Sequence, residues 1–476
     1  MKIQVLLLVL FIQQTFLYSQ NAPISIEEEI EKARFLITEH QKMTNIPGVQ
    51  VALMIDGVLI WSESFGYADI AAKIPVTDST QFRTASISKA ITSIALGKLS
   101  ESKQLDLDQP IRNYLPEFPE RKFPVTARQL AASVSGIRHY NGTDPLPNTK
   151  HYESVFDATE MFRKDELLFE PGTKYEYSSF GWVLLSAVME SAAKVSFSEI
   201  MESMWQSLGM KRTVFDDIRY TSNLKTTYYV RGKNGKRTIA PFEDRSYMYA
   251  GGGYLSTACD LVNMGNQFIM DEYLSAATRQ TLTTSYVLTN GDSTHYGLGW
   301  ETGKSRLNVP VIFHAGSMSS TRTHLVIYPD QRVVFAYLAN TGDHVFFNDR
   351  EAQSIAEIFV EKRLTRNETN NLKGTWAIET TSLRDKKSRG YLELQDGKGA
   401  ITFTRSKKEK TFPVIVTKID QETVHLIAVT PMFIDLYLQV SGHQLNGYWL
   451  HDFNVKGIPE VDDYWKARKI IGEKIK

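Results

Sequence analysis

The sequence predicts an α+β chain: an antiparallel sheet flanked by helices plus a helical region, followed by a small all-β barrel or sandwich. Two patterns predict it. Strand-like segments near residue 50 and after residue 300 flank a largely helical middle, which one sheet assembled from both ends satisfies most simply. Beyond the polar stretch Thr365–Asn371, short alternating segments recur at even spacing between turn residues.

The elements follow in order. A charged amphipathic helix is expected from about Ile26 to Lys42. Val49–Ile55 and Val58–Phe65 form a hairpin around Asp56-Gly57, a strong turn signal between apolar runs. A helix follows Ser86, with Ile87, Ile91, Ile94, Ala95 and Leu99 as its buried stripe. Leu105 to about Ala240 mixes short helices with Pro- and Gly-rich loops, and a second good helix covers Gly181–Ala193. Strands return at Val309–His314, Thr323–Tyr328 and Val333–Ala339, the latter two joined at Pro329-Asp330, and a helix over Glu351–Glu361 ends the region. The β region begins at Gly374, with strands at Thr375–Ile378, Tyr391–Leu394, Ala400–Phe403, Val424–Val429, Phe433–Val440 and Leu445–Leu450. Asp56 and Asp396 are turn residues, and the basic end Trp465–Lys476 reads as a solvated helix end.

The 476 residues exceed one typical core, so at least two domains are expected: 21–366 and 367–476, after a signal peptide at 1–20. That segment has Lys2, the apolar run Val5–Phe11 and a cleavage region near Ser19 or Gln20. It implies a secreted, periplasmic protein without stable membrane insertion after cleavage, an uncleaved anchor being the alternative. With 54 basic and 54 acidic residues the formal charge is zero, which argues against nucleic acid as a partner. Cys259 is the only cysteine, so no intrachain disulfide forms. Asn141 and Asn367 head N-x-T sequences, which matter only in a glycosylating host.

Chemistry points to Ser86-Ile87-Ser88-Lys89. A serine three residues before a lysine at a helix start puts hydroxyl and amine on one face, a turn apart, as a Ser–Lys nucleophile requires. The spacing is not selective, since Ser100–Lys103, Ser191–Lys194 and Ser222–Lys225 share it. Two further segments set Ser86 apart. Glu170-Pro171-Gly172 leads into a loop presenting Tyr177 and Ser179 ahead of a helix, and Phe313-His314-Ala315-Gly316-Ser317 ends a strand. A glycine there lets a ligand approach the backbone. No H-E-x-x-H or other metal-ligand spacing is present, so neither metal nor cofactor is implied. The absence of G-x-S-x-G argues against an α/β-hydrolase.

In this order the three segments resemble the serine β-lactamase-like superfamily: S-x-x-K, Y-x-[N/S] and [K/H]-x-G. Class C β-lactamases, DD-peptidases, D-aminopeptidases and β-lactamase-like esterases belong to it. Gly66-Tyr67-Ala68-Asp69, Gly251-Gly252-Gly253, Ser256-Thr257-Ala258 and Tyr296-Gly297-Leu298-Gly299-Trp300 also match its style. Leu115-Pro116-Glu117-Phe118-Pro119 and Ser135-Gly136-Ile137-Arg138-His139-Tyr140 are most similar to its mitochondrial branch and bacterial relatives. The resemblance covers about residues 30–365 and implies a β-lactamase/transpeptidase-like domain.

It implies Ser86 as acylated nucleophile, Lys89 as its partner base and Tyr177 as a proton relay, the acylation base staying open between the last two. Ser179 stands where many relatives have asparagine. His314 replaces the lysine of class C enzymes, and the backbone N–H groups of Ser86 and Ser317, beside Gly316, form the oxyanion hole. Because histidine carries no reliable charge at neutral pH, a substrate carboxylate is held less firmly, unless Arg322 supplies the charge. His139 is read as structural, and Ser133-Val134-Ser135-Gly136 departs from the His-Thr-Ser-Gly of relatives.

The expectation is a secreted serine hydrolase acting through an acyl-enzyme on a small ester, amide or peptide, more esterase- or peptidase-like than an efficient β-lactamase. The alternative is a catalytically degenerate binder of cell-wall peptide or glycan. The β domain is either an interaction module or a cover for the cleft.

Overall fold

The computed structural model describes residues 26–475 apart from 233–234, 271, 343–348, 365–372, 382–386, 406–407, 421–422, 431–432, 442 and 452–467. The signal segment 1–20, Asn367 and the domain boundary at 366/367 lie outside the described residues.

Strand Gly48–Ile55 is buried at all eight positions, which marks it as central. The Asp56-Gly57 turn, with φ of 51° and 81°, returns the chain as Val58–Asp69. On its other side it pairs antiparallel with Val333–Ala339, in a register running from Val49 opposite Ala339 to Ile55 opposite Val333. Thr321–Tyr328, Pro310–Met318 and Glu301–Lys304 follow outward, and Ile74–Pro75 lies at the far edge, giving a seven-stranded antiparallel sheet among the described residues. Both ends of the hydrolase-like region thus meet in one sheet, as the sequence predicts.

Side-chain alternation sorts the layers. Val49, Val51, Leu53 and Ile55 pack with helices Glu27–Thr44 and Asp349–Leu364. Ala52 and Met54 face the other way, into a core shared with helices Ile87–Glu101, Ser179–Ala193 and Ala258–Ile269. The last of these helices has no forecast from the sequence. The Ser86 helix buries more than its expected stripe, since Ser88, Lys89, Thr92 and Ser93 are also enclosed. It lies between the sheet and other helices, and every residue from Ile87 to Gly97 is buried.

Two strand ends differ from expectation. Pro310–Met318 continues four residues beyond His314, so that histidine lies within the strand and not at its end. Arg468–Lys474 is a strand and not a solvated helix end. Ile470 points inward, and the backbone pairs with Gly374–Thr381 on one side and Gln444–His451 on the other.

That pairing closes a barrel of eight consecutive antiparallel strands among the described residues. Trp376, Leu392, Ile401, Val414, Leu426 and Leu438 fill it. Lys408–Asp420, for which no strand is predicted, is one of the eight; its outward Lys and Glu residues and Pro413 mask the period-2 signal. The barrel docks against the terminal-helix layer, to which Ile415, Ile427, Val429 and Phe433 add apolar contacts. At the junction Arg306 is buried beside Glu357 (2.8 Å), Asp435 (2.5 Å), His425 (2.6 Å) and Glu361 (3.5 Å). Among the described residues no single helix is long and apolar enough to cross a membrane.

Candidate active site

Every residue from Thr80 to Gly97 is buried except Ser86. The preceding chain is held on both sides: the Thr84 N–H donates to the Tyr254 carbonyl (2.9 Å) and its carbonyl accepts from Thr323 Oγ1 (2.8 Å). Between these anchors and the helix, Ala85 takes φ 46°, a left-handed conformation unfavourable for a residue with a Cβ. The kink lifts Ser86 to the helix N-cap, where serine normally bonds a backbone N–H. Here its hydroxyl makes no capping bond. The Ser86 N–H, at the positive end of the helix, is a ready donor for a developing oxyanion.

Lys89 is fully enclosed, with Nζ 3.1 Å from Ser86 Oγ, 3.0 Å from Ser179 Oγ and 2.6 Å from the Gly251 carbonyl oxygen. Burial holds its amine well below the ordinary lysine pKa. A neutral amine has two N–H groups and one lone pair. The carbonyl can only accept, so one N–H goes to Gly251; the other goes to Ser179, and the lone pair remains for the Ser86 hydroxyl. The other three pairs are spent elsewhere: Lys225 binds Asp216, Ser191 donates to the Tyr114 carbonyl, and Lys103 is exposed.

Tyr177 precedes the N-cap Ser178 of helix Ser179–Ala193, and its ring lies 4.9 Å from Lys89 Nζ. Burial, partly offset by its hydrogen bond with Ser86, raises its phenol well above the ordinary tyrosine pKa. The loop rests on Ser133–Gly136: Glu176 N–H donates to the Ser133 carbonyl (3.0 Å), Gly172 N–H to Val134 (2.8 Å) and Leu168 N–H to Gly136 (2.8 Å). These three bonds all run through the backbone.

His314 is buried, its ring 6.3 Å from that of Tyr177. Nδ1 lies 2.7 Å from the Ala315 carbonyl and must carry the proton, since that oxygen only accepts. Nε2 lies 3.0 Å from the Tyr296 hydroxyl, which donates to it when the ring is neutral. Gly316 is packed against the nucleophile turn. A Cβ there would stand 2.0 Å from Thr323 Oγ1, 2.3 Å from the Thr84 carbonyl and 2.9 Å from Ala85 Cβ, so the missing side chain admits the nucleophile turn. Glu301–Lys304 pairs only as far as Phe313, which leaves the Ala315–Met318 stretch with Ser317 along an open sheet edge. Arg322, across the ladder, engages Ser317 Oγ and the Gly342 carbonyl.

All seven sequence-predicted residues therefore belong to one neighbourhood. Two contributors go unassigned, the Gly251 carbonyl and Tyr296, and a third, His139, is read as structural although its Nδ1 accepts from the Ser179 N–H. Each lies inside a segment singled out by its pattern, the only signal the sequence holds for them. A hollow of about 840 Å³ lined by Tyr152, Phe215 and Tyr249 includes none of the seven and reaches Glu190 and Lys194, at the opposite end of the Ser179 helix.

A Ser–Lys pair with an adjacent tyrosine, set between an antiparallel sheet and a helical region, defines a serine hydrolase of the β-lactamase-like superfamily. A Beta-lactamase family model matches residues 34–358, and the chain belongs to that family. It is 30% identical over 314 residues to the mitochondrial serine β-lactamase-like protein of Mus musculus, covering 50% of this chain and 57% of that protein. The chain thus spans little more than half the length of that relative. Penicillin-binding protein 4* of Bacillus subtilis is 26% identical over 367 residues, covering 74% of this chain and 80% of that protein. The octameric penicillin-binding protein homologue from Pyrococcus abyssi shares the fold at TM-score 0.61 and 19% identity, over 93% of this chain and 99% of that one.

Proposed function

We propose that the chain is a serine hydrolase that cleaves a small ester, amide or peptide through an acyl-enzyme on Ser86. The observation that carries this is the Lys89 arrangement, in which both N–H groups are occupied and the lone pair faces the Ser86 hydroxyl. Lys89 takes the proton as Oγ attacks the substrate carbonyl carbon. The ammonium formed lies over the Tyr177 ring and against the Gly251 carbonyl, both of which favour positive charge. The N–H groups of Ser86 and Ser317 receive the oxyanion. On collapse the bond to the leaving group breaks, and Tyr177 passes that group a proton, which Lys89 replaces. Water then attacks the ester in the same manner and regenerates Ser86.

The raised Tyr177 pKa supports Lys89 as acylation base, since a phenol that stays protonated serves better as a donor. The uncharged bonding of His314 supports esters and neutral amides over β-lactams, whose carboxylate prefers a fixed cation. The proposal includes export by the residue 1–20 segment and a periplasmic location.

The test is a fluorophosphonate probe read by intact mass. Wild type should gain one adduct and Ser86→Ala none; equal labelling of the two removes the assignment. A screen of nitrocefin, p-nitrophenyl esters and D-amino-acid p-nitroanilides should give short-chain ester turnover with little nitrocefin hydrolysis. Tight binding of a cell-wall fragment without an acyl adduct would favour the degenerate binder instead.

A further inference from the structure

His139 reads as structural in the sequence, yet its imidazole is built into the catalytic neighbourhood. The Ser179 N–H, in the first turn of helix Ser179–Ala193, donates to His139 Nδ1 at 3.0 Å. Donors in a first helical turn have no partner within the helix, and side-chain acceptors normally satisfy them. Here the acceptor is an aromatic nitrogen from a different segment. The adjoining backbone is fixed as well. Ser178 Oγ donates to the Arg138 carbonyl (2.8 Å), and the Arg138 guanidinium binds Asp144 (2.8 Å), Asp165 (2.5 Å) and the His139 carbonyl (3.0 Å).

Ser179, held in this way, carries the hydroxyl 3.0 Å from Lys89 Nζ, the contact that occupies one amine N–H and leaves the lone pair for Ser86. The imidazole also packs tilted against Tyr140, with centroids 3.7 Å apart, and meets the Tyr177 ring edge-on at 5.7 Å. It therefore touches the supports of both proton-handling groups.

We propose that His139 is a positioning residue of the catalytic centre, its unprotonated Nδ1 anchoring the Ser179 amide so that the Ser179 hydroxyl orients Lys89. This rests on the reading of Lys89 as base. Protonation of Nδ1 would break the anchor. The charged and titratable groups facing the ring are Lys89 from the Ser86 helix, Tyr177 from the loop before the Ser179 helix, and Tyr140, Arg138 and Asp144 from its own segment. Burial, then the Lys89 charge, pull the imidazole down to about 4, so the anchor is intact at neutral pH.

An asparagine and a glutamine variant separate the roles of the ring nitrogens. In His139→Asn the side-chain amide oxygen can occupy the Nδ1 position and accept from Ser179, whereas the longer side chain of His139→Gln cannot place its oxygen there. In the full chain, His139→Asn should keep kcat for a p-nitrophenyl ester within a few-fold of wild type. His139→Gln and His139→Ala should lose kcat by about 10²-fold with KM little changed, the scale for a displaced catalytic group. Equal losses in the asparagine and glutamine variants at matched melting temperature would overturn the proposal, as would wild-type kcat in His139→Ala. Histidine-selective ¹⁵N NMR reads the anchor without turnover: the proton should sit on Nε2 at pH 7, and one on Nδ1 would overturn it. If Ser86 takes no acyl group in wild type, the hydrolase reading fails separately, and the NMR result still decides whether His139 holds Ser179.

Discussion

Gly316 and Thr84 touch backbone to backbone: a Cβ on Gly316 would stand 2.3 Å from the Thr84 carbonyl oxygen. This contact sets the sheet edge bearing Ser317 against the turn bearing Ser86, and so fixes the spacing of the two proposed oxyanion donors.

Gly316→Ala should therefore act mainly on catalysis. The strand must retreat from Thr84 and Thr323, and loss of one oxyanion donor is worth about 3 kcal/mol, or roughly a hundredfold in kcat. Ester kinetics with a thermal melt check this; wild-type kcat with an intact fold would refute it.

Lys89→Met should abolish acylation, by mass spectrometry, while stabilising the fold. The sign follows from linkage. The unfolded lysine binds its proton up to about pH 10.4, whereas burial makes the folded one release it at lower pH. Between the two pKa values the unfolded state binds more protons, so wild-type stability rises with pH. Denaturant melts should show the methionine variant ahead at neutral pH and its advantage shrinking towards pH 10. Activity should likewise climb with pH through the depressed Lys89 pKa.

His314→Lys would replace a neutral ring with a fixed cation beside Tyr296 and Tyr177. A charge-assisted bond to a substrate carboxylate is worth about 1.5–3 kcal/mol. Nitrocefin acylation should therefore rise about tenfold or more relative to ester turnover. Steady-state rates on both substrates measure the ratio, and an unchanged ratio would contradict the charge argument.

Arg306→Ala should weaken the hydrolase–barrel junction. It leaves Glu357, Glu361 and Asp435 buried without their guanidinium, a loss typically of about 3–5 kcal/mol. Calorimetry should show a lower melting temperature, with the barrel and hydrolase transitions separating.

The fold was legible where side-chain period coincided with burial, as in Val49–Ile55 and the stripe after Ser86. It was not legible in Lys408–Asp420 or Arg468–Lys474. Those strands owe their place to barrel closure, which supplies backbone partners on both sides regardless of outward charge. The site divides the same way. Ser86, Lys89 and Tyr177 carry their chemistry in their side chains, whereas the Gly251 carbonyl acts through main chain that any residue would provide. His139 and Tyr296 act through partners distant in sequence, and only the assembled core brings those together.

The pairing of Val49 with Ala339 also governs when the molecule can form. The strand Gly48–Ile55 emerges early in synthesis, but its inner neighbour Val333–Ala339 emerges only after the whole helical region. Until then a strand that is buried at every position in the finished fold has one open edge, and the core beneath Ser86 has no finished floor. Such long-range pairing folds slowly and leaves a prolonged aggregation-prone interval. A nascent chain halted before Val333 should therefore remain protease-sensitive and dependent on chaperones, even with Ser86, Lys89 and Tyr177 already made.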